Sequence, residues 1–390
     1  MSGKSIFLNF QKVLSSFLFL TIVAIFISHS MEEIKMKKID LLPASEKNPR
    51  NSEGSMIELK NGKIMFIYSH FYGGQGDNAL AFLAARYSFD KGESWTEKDE
   101  VIIENEGKEN VMSVSLLRLK NGEILLGYLI KNSLNDCKYY IRKSSDEGKS
   151  WSKKVLVTNK EFSNGNYFVV NNDRVIQLSN GRIIVPSSHH PCSTGKWDDF
   201  GPGEVIVFYS DDNGNTWKSS RNILSSPEKN DKRGLEEPGV VELRDGKILM
   251  WIRTNLGRQY YSYSEDSGQT WSEVSPSPLV SPLSPASIKR IPKTGDLLCI
   301  YNDHSGKFPY PEFQSRTPLV SAISKDEGKS WQNHLLIEDD PKGRFCYTSI
   351  LFIDNKIILS YSAENVEQAW GLLRVTILKM EEVYNGEKNT

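Results

Sequence analysis

The sequence predicts an all-β chain folded as a six-bladed β-propeller with four-stranded antiparallel blades. Two interleaved repeats and the absence of any long helical period carry this expectation. The first repeat is the box S-x-D-x-G-x-[ST]-W. It occurs five times, at Ser88–Trp95, Ser144–Trp151, Ser210–Trp217, Ser264–Trp271 and Ser324–Trp331, with the tryptophans 56, 66, 54 and 60 residues apart. The second repeat is an apolar run, a two-residue turn and another apolar run. Its six turns are Asn61-Gly62, Asn121-Gly122, Asn180-Gly181, Asp245-Gly246, Thr294-Gly295 and Asp354-Asn355. Six hairpins and five boxes give six units, the last without a box. Each is read as two inner strands followed by one or two outer strands around the box, and stacked in a ring such units bury each other's faces.

The chain opens with a targeting pattern. Lys4 and Lys12 precede the apolar run Ser16–Ile27, which is short for a spanning helix, and Ser28-His29-Ser30 offers a small-x-small site. Residues 1–30 therefore read as a signal peptide of a secreted or periplasmic protein, with an uncleaved anchor as the alternative. Residues 31–390 are expected to form one propeller domain. The polar, Lys-rich stretch at residues 31–50 is expected to supply a strand that helps close the ring, and the tail from Tyr384 to fray.

Composition excludes several classes. A net charge of −1 gives no electrostatic case for nucleic acid. The cysteines Cys137, Cys192, Cys299 and Cys346 have no metal-ligand spacing and read as buried thiols.

Each residue of the box has a structural task. The Asp carboxylate accepts from turn N–H groups, Gly permits a positive φ, and Trp packs on the neighbouring unit. Five near-identical copies stabilise turns, whereas a single active site needs unlike residues that converge. The units differ where the inner strands begin. Glu53, Ser113, Asn172 and Glu237 each lie nine residues before the turn glycine, and Tyr347 lies eight before Asn355. Polar residues at these positions read as a funnel on the ring axis. Asn172-Asp173-Arg174 is expected to contact substrate there, His189-His190 to form a polar rim, and His70 to line the same mouth.

On these residues the chain resembles the sialidases (neuraminidases). The run from Glu237 to Arg253 is similar to the family pattern E-x-x-V-V-E-L-x-D-G-x-[IL]-L-x-x-x-R. Asp77–Arg86 resembles D-x-x-A-x-x-x-x-R with one extra residue after the Asp. Arg316-Thr-Pro-Leu319 before the fifth box, and Tyr347-Thr348, match two further motifs. The resemblance implies a six-bladed propeller and an exo-α-sialidase that retains configuration. Tyr347 is then the nucleophile, Glu237 its base and Asp77 the acid/base. Arg253 and Arg316 hold the substrate carboxylate, and no metal or other cofactor is required. The family's Arg-Ile-Pro tripeptide is missing, so the third arginine is Arg50, from a shifted loop, or Arg174.

The chemistry fits such a substrate. Planar guanidinium forks match a carboxylate, and a Tyr nucleophile avoids the repulsion that the substrate carboxylate would exert on an anionic one. The expected partner is a sialylated or other acidic glycan, met by a monomer. A propeller glycosidase or lyase for another acidic sugar, and a non-catalytic glycan-binding propeller, are the competing expectations.

Overall fold

Six consecutive antiparallel units carry the chain, preceded by the strand β1 (Lys37–Leu42). The computed structural model describes residues 36–312, 315–365, 367 and 371–386. The expected signal peptide lies outside the described residues, and residues 38–390 form one compact unit. The first antiparallel unit is β2 (Arg50–Glu58), β3 (Ile64–Phe71), β4 (Ala81–Ser88) and β5 (Glu100–Ile103). The second is β6 (Asn110–Arg118), β7 (Ile124–Ser133), β8 (Asp136–Ser144) and β9 (Val155–Leu156). The third holds β10 (Asn166–Val169), β11 (Ile176–Gln177), β12 (Ile183–His190), β13 (Glu204–Ser210) and β14 (Lys218–Ser219).

The fourth is β15 (Glu236–Glu242), β16 (Ile248–Arg253), β17 (Arg258–Ser264) and β18 (Ser275–Val280). The fifth is β19 (Ser287–Arg290), β20 (Leu297–Asn302), β21 (Leu319–Ser324) and β22 (Gln332–Glu338). The sixth is β23 (Gly343–Ile353), β24 (Lys356–Asn365) and β25 (Leu373–Lys379), completed by β1 on the free edge of β25. Helix among the described residues is confined to a 3-10 turn at Trp197–Asp199 and to α1 (Met380–Asn385). Short parallel contacts, Ala81 with Asn110 and Tyr167 with Cys137, run the first three units into one sheet.

The inner strands are apolar on both faces because each unit is sandwiched between two others. Met65 and Ile67 of the first unit pack with Leu126 and Tyr128 of the second. Leu129 and Tyr139 pack with Phe168 and Phe208, Ile184 with Met250, and Trp251 with Cys299. Ile358 and Val375 of the sixth unit return to Phe66 and Tyr68 of the first. Truncating a fully buried ring such as Phe66 would cost about 3–5 kcal/mol.

The boxes are tight turns outside these inner strands. Asp90 Oδ1 accepts from Ser94 N at 2.9 Å and its Oδ2 from Ser94 Oγ at 2.5 Å, while Ser88 Oγ accepts from Gly92 N at 2.8 Å. Hydrogen bonds from the Ser94 and Ser150 hydroxyls pull the carboxyls of Asp90 and Asp146 down to about 2. The first four inner turns are longer than the two-residue loops expected. Glu58 pairs with Ile64, Gly62 N donates to Leu59 O, and Asn61 Oδ1 caps Lys63 N, an arrangement repeated at Gly122, Gly181 and Gly246. In the sixth unit Ile353 pairs with Lys356 across a true two-residue turn.

Candidate active site

The first inner strand of four units carries a device with no sequence cue. In β2, β6, β15 and β23 the register slips by one residue, and the first bulged residue adopts a positive φ. These residues are Glu53 (φ 53°), Ser113 (61°), Glu237 (44°) and Tyr347 (60°); Asp173 (59°) holds the corresponding place in the third unit. None is Gly, so each is held against a conformational cost by its surroundings. A bulge re-aims the side chain it carries. Here it brings the adjacent carboxylates Glu236 and Glu237 to the same guanidinium, that of Arg253 at the end of β16.

A cavity of about 320 Å³ opens at the bulges of β15 and β23. Asp77, Glu237, Tyr347, Arg50, Arg253 and Arg316 all line it. Tyr347 Oη donates to Glu237 Oε1 at 3.5 Å. Arg253 Nη1 holds the other oxygen, Glu237 Oε2, at 2.7 Å, and Arg253 Nε lies 3.3 Å from Glu236 Oε2. Arg316 lies with its Cζ 5.5 Å from the Tyr347 ring centroid, and its Nη1 donates to Cys346 Sγ at 3.0 Å. Arg50 Nη1 donates to Asp77 Oδ1 at 2.5 Å and to the Gln75 carbonyl at 3.2 Å. Arg50 Nη2 is also 3.8 Å from Glu53 Oε1, whose other oxygen accepts from Ser113 Oγ at 2.7 Å.

The electrostatics follow from burial and these partners. Burial and the Glu237 charge push the Tyr347 phenol above its ordinary value, and Arg316 and Arg253 pull it back in part. Burial opposes charge on Arg253, but Glu237 and Glu236 keep it firmly protonated. Burial raises the Asp77 carboxyl, but the Arg50 guanidinium overrides this and holds it below the usual carboxylate range. Its side chain remains 61% exposed at the mouth. Glu53 is different: burial pushes it up to about 7 against the opposing pull of Arg50.

Three expectations are corrected. Arg174 does not line the cavity. Its Nη2 donates to the Ala286 carbonyl at 2.7 Å, its Nη1 to Ser287 Oγ at 3.2 Å, and its head lies over Trp251. Its neighbours brace the units against one another instead of facing a ligand. Asp173 accepts from Ser55 Oγ and Ile350 N and pairs with Lys289 at 2.7 Å. Asn172 Nδ2 donates to the carbonyls of Gly54 and Tyr347. The cluster thus ties the third unit to the first, fifth and sixth.

The histidines also divide. His70 does not line the cavity but pairs with Asp99 at 3.0 Å and stacks on Phe82. His189 and His190 are buried instead of forming a rim. His189 stacks on Phe162, while His190 lines the cavity, stacked on Phe200 and pushed down to about 4 by burial.

The cavity holds further groups that the sequence reading did not single out. Tyr167, Phe200 and the exposed Trp197 make an aromatic wall; Arg233, Glu236, Arg344 and Glu364 add charge. Arg344 and Glu364 face each other across the β23–β24 pair, as Glu236 and Arg253 do across β15–β16. The two pairs stand at different depths, since Glu236 directly precedes its bulge and Arg344 lies three residues before Tyr347, so the hairpin alignment gives no signal for Arg344 and Glu364. The four cysteines are free and buried. Among the described residues, no group of three or more His, Cys, Asp and Glu side chains is placed to hold a metal ion, and no helix is long and apolar enough to cross a membrane.

Comparison with known proteins adds the following. The family model for the BNR repeat-like domain matches residues 62–359. A Clostridium perfringens protein described as a sialidase is 28% identical over 217 residues, covering 47% of this chain and 55% of that protein, so the chain spans about half the length of this relative. A crystal structure of a Dyadobacter fermentans protein of unknown function superimposes with a TM-score of 0.70 at 20% identity, over 88% of this chain and 99% of that one. The Hadza microbial sialidase Hz136 superimposes with a TM-score of 0.69 at 18% identity, over 86% of this chain and 67% of that one.

Proposed function

The chain belongs to the BNR repeat-like domain family within the sialidase superfamily, and from that premise we propose that it is a retaining exo-α-sialidase built as a six-bladed propeller. The observation that carries the proposal is the division of the Glu237 carboxylate between two partners. Arg253 holds Oε2 at 2.7 Å, and Oε1 faces the Tyr347 hydroxyl at 3.5 Å. One oxygen fixes the orientation of the base; the other takes the proton.

In this reading Arg50, Arg253 and Arg316 receive the carboxylate of the sugar. Glu237 removes the Tyr347 proton as the phenolate oxygen bonds to the anomeric carbon. The bond to the leaving oxygen breaks, and Asp77 donates its proton to that oxygen. Water then enters, gives a proton to Asp77 and displaces the aryl glycosidic bond to Tyr347, and Glu237 returns the proton to Tyr347. Two displacements give net retention. In the free protein Asp77 is locked in an ion pair with Arg50, which disfavours the acid form. A substrate carboxylate that engages Arg50 competes for that guanidinium, and so raises Asp77 toward the protonated state the first step needs.

The proposal extends to export through residues 1–30 and to action as a monomer on sialylated glycoconjugates. The decisive experiment is an assay of the purified protein on a fluorogenic α-sialoside beside fluorogenic glycosides of other acidic sugars. Turnover confined to the sialoside supports the reading, and turnover confined to another acidic glycoside, or none at all, overturns it.

A further inference from the structure

A fully buried lysine stands behind the loop that carries Asp77. Lys131 lies near the end of β7, after the apolar run Ile124–Ile130, and its side chain is 0% exposed. An ammonium is costly to take out of water unless its donors are satisfied. Lys131 Nζ donates to Asn78 Oδ1 at 2.6 Å and to the Asp77 carbonyl at 3.2 Å, lies 3.6 Å from Glu109 Oε2, and sits 5.2 Å from the Tyr167 ring centroid. Asn110, its register partner on β6, donates Nδ2 to the carbonyls of Asp77 and Ala79 at 2.8 and 2.9 Å. Two buried side chains of the second unit thus converge on one exposed loop of the first. An apolar side chain would fill the strand position without the desolvation cost, so the charge is explained by what it grips.

We propose that Lys131 is a positioning residue for proton donation: with Asn110 it clamps the Asp77–Ala79 backbone so that the Asp77 carboxyl meets the leaving oxygen. The inference rests on the acid/base reading of Asp77 given above. It assigns Lys131 no contact with substrate. A group acting in this way matters in proportion to how much the leaving group needs a proton. An aryl sialoside departs nearly unaided, whereas a sialyl disaccharide leaves as a strongly basic alkoxide.

The test compares Lys131→Met, Asn78→Ala, Asp77→Ala and the unaltered protein on an aryl sialoside and on a sialyl disaccharide, with thermal unfolding in parallel. Lys131→Met keeps the length of the side chain and removes its donors. Expected is a kcat/KM for the disaccharide that falls at least about tenfold more than that for the aryl substrate, the direction Asp77→Ala shows more strongly. Asn78→Ala, at an exposed site, should shift the ratio the same way and decides the matter if Lys131→Met does not fold. Equal losses on both substrates, or no loss, while Asp77→Ala keeps its selective defect, overturns the positioning role and leaves the acid/base reading standing. An Asp77→Ala protein without a selective defect overturns both.

Discussion

Tyr347 Oη and Glu237 Oε1 face each other at 3.5 Å from two units that are not neighbours in the chain, the sixth and the fourth. Both residues sit at the first position of a β-bulge with a positive φ. The backbone strain is therefore placed where two side chains must be turned inward to meet.

From that pairing follows the first prediction. Tyr347→Phe removes one oxygen from a packed ring, so the melting temperature should change little while kcat on a sialoside falls by about 10³-fold or more. Glu237→Gln keeps the shape and an acceptor for Arg253, and should lower kcat by about 10²–10⁴-fold. A Tyr347→Phe protein with an unchanged kcat would remove the tyrosine from the mechanism.

How much of this was legible in the sequence depends on whether the signal was local. The boxes are read correctly, and the Gly turns are placed correctly but too short, because each is a short run whose residues bond to one another, as Asp90 does with Ser94. The bulges are invisible because Glu, Ser and Tyr have no compositional preference for a positive φ. Their polarity still marked Glu237 and Tyr347, since a strand start surrounded by apolar neighbours carries either residue only at some cost, but Glu53, Ser113 and Asn172, marked in the same way, do not line the cavity. Arg50 and Arg174 could not be told apart, as both stand near inner-strand starts. Arg174 turns toward the fifth unit, where Ala286 and Ser287 offer acceptors, and only the tertiary arrangement shows that. His70 likewise ends a hairpin near the mouth, but Asp99 captures it.

Glu53 makes a pH-dependent contribution to stability. Its carboxyl is raised from an ordinary value of 4.5 to about 7, burial being the main cause. The folded protein therefore holds a proton that the unfolded chain releases between those values. The contribution is fully present below pH 4.5 and is lost as pH rises through about 7. Glu53→Gln abolishes this loss and keeps the contact with Ser113. Relative to the unaltered protein, the variant should gain on the order of 2 kcal/mol in urea unfolding between pH 4.5 and pH 8. A difference that does not vary with pH would show that Glu53 titrates normally.

Asp173 ties the third unit to four others: its carboxylate serves Ser55, Ile350 and Lys289, and its own N–H donates to the Val114 carbonyl at 2.9 Å. Asp173→Ala leaves the Ser55 hydroxyl and the Ile350 N–H without their acceptor and takes the carboxylate from Lys289, which keeps the Ile350 carbonyl. The expected cost is about 2–4 kcal/mol in chemical unfolding. Because the residue lies outside the cavity, KM should be unchanged under conditions where the variant is folded. A raised KM with unchanged stability would return Asp173 to the substrate site.

The choice between Arg50 and Arg174 yields the last prediction. Arg50 lines the cavity with its guanidinium on Asp77, whereas Arg174 spends its donors on Ala286 and Ser287. Arg50 lines the same cavity as Arg253 and Arg316, and Arg174 does not, so in the proposed reading the substrate carboxylate meets the first and not the second. Arg50→Ala should weaken a sialic-acid-like carboxylate inhibitor by about 1.5–3 kcal/mol, the range for a charge-assisted bond, with little change in melting temperature. It should also release Asp77 from the pair that lowers it, so the Asp77 carboxyl of the free variant, followed by NMR, should titrate at higher pH than in the unaltered protein. Arg174→Ala should do the reverse: it should lower the melting temperature by opening a hole beside Trp251 and removing the buried hydrogen bonds to Ala286 and Ser287, with inhibitor affinity nearly intact. An inhibitor that binds Arg50→Ala normally and Arg174→Ala poorly would move the third arginine of the anion site back to the third unit.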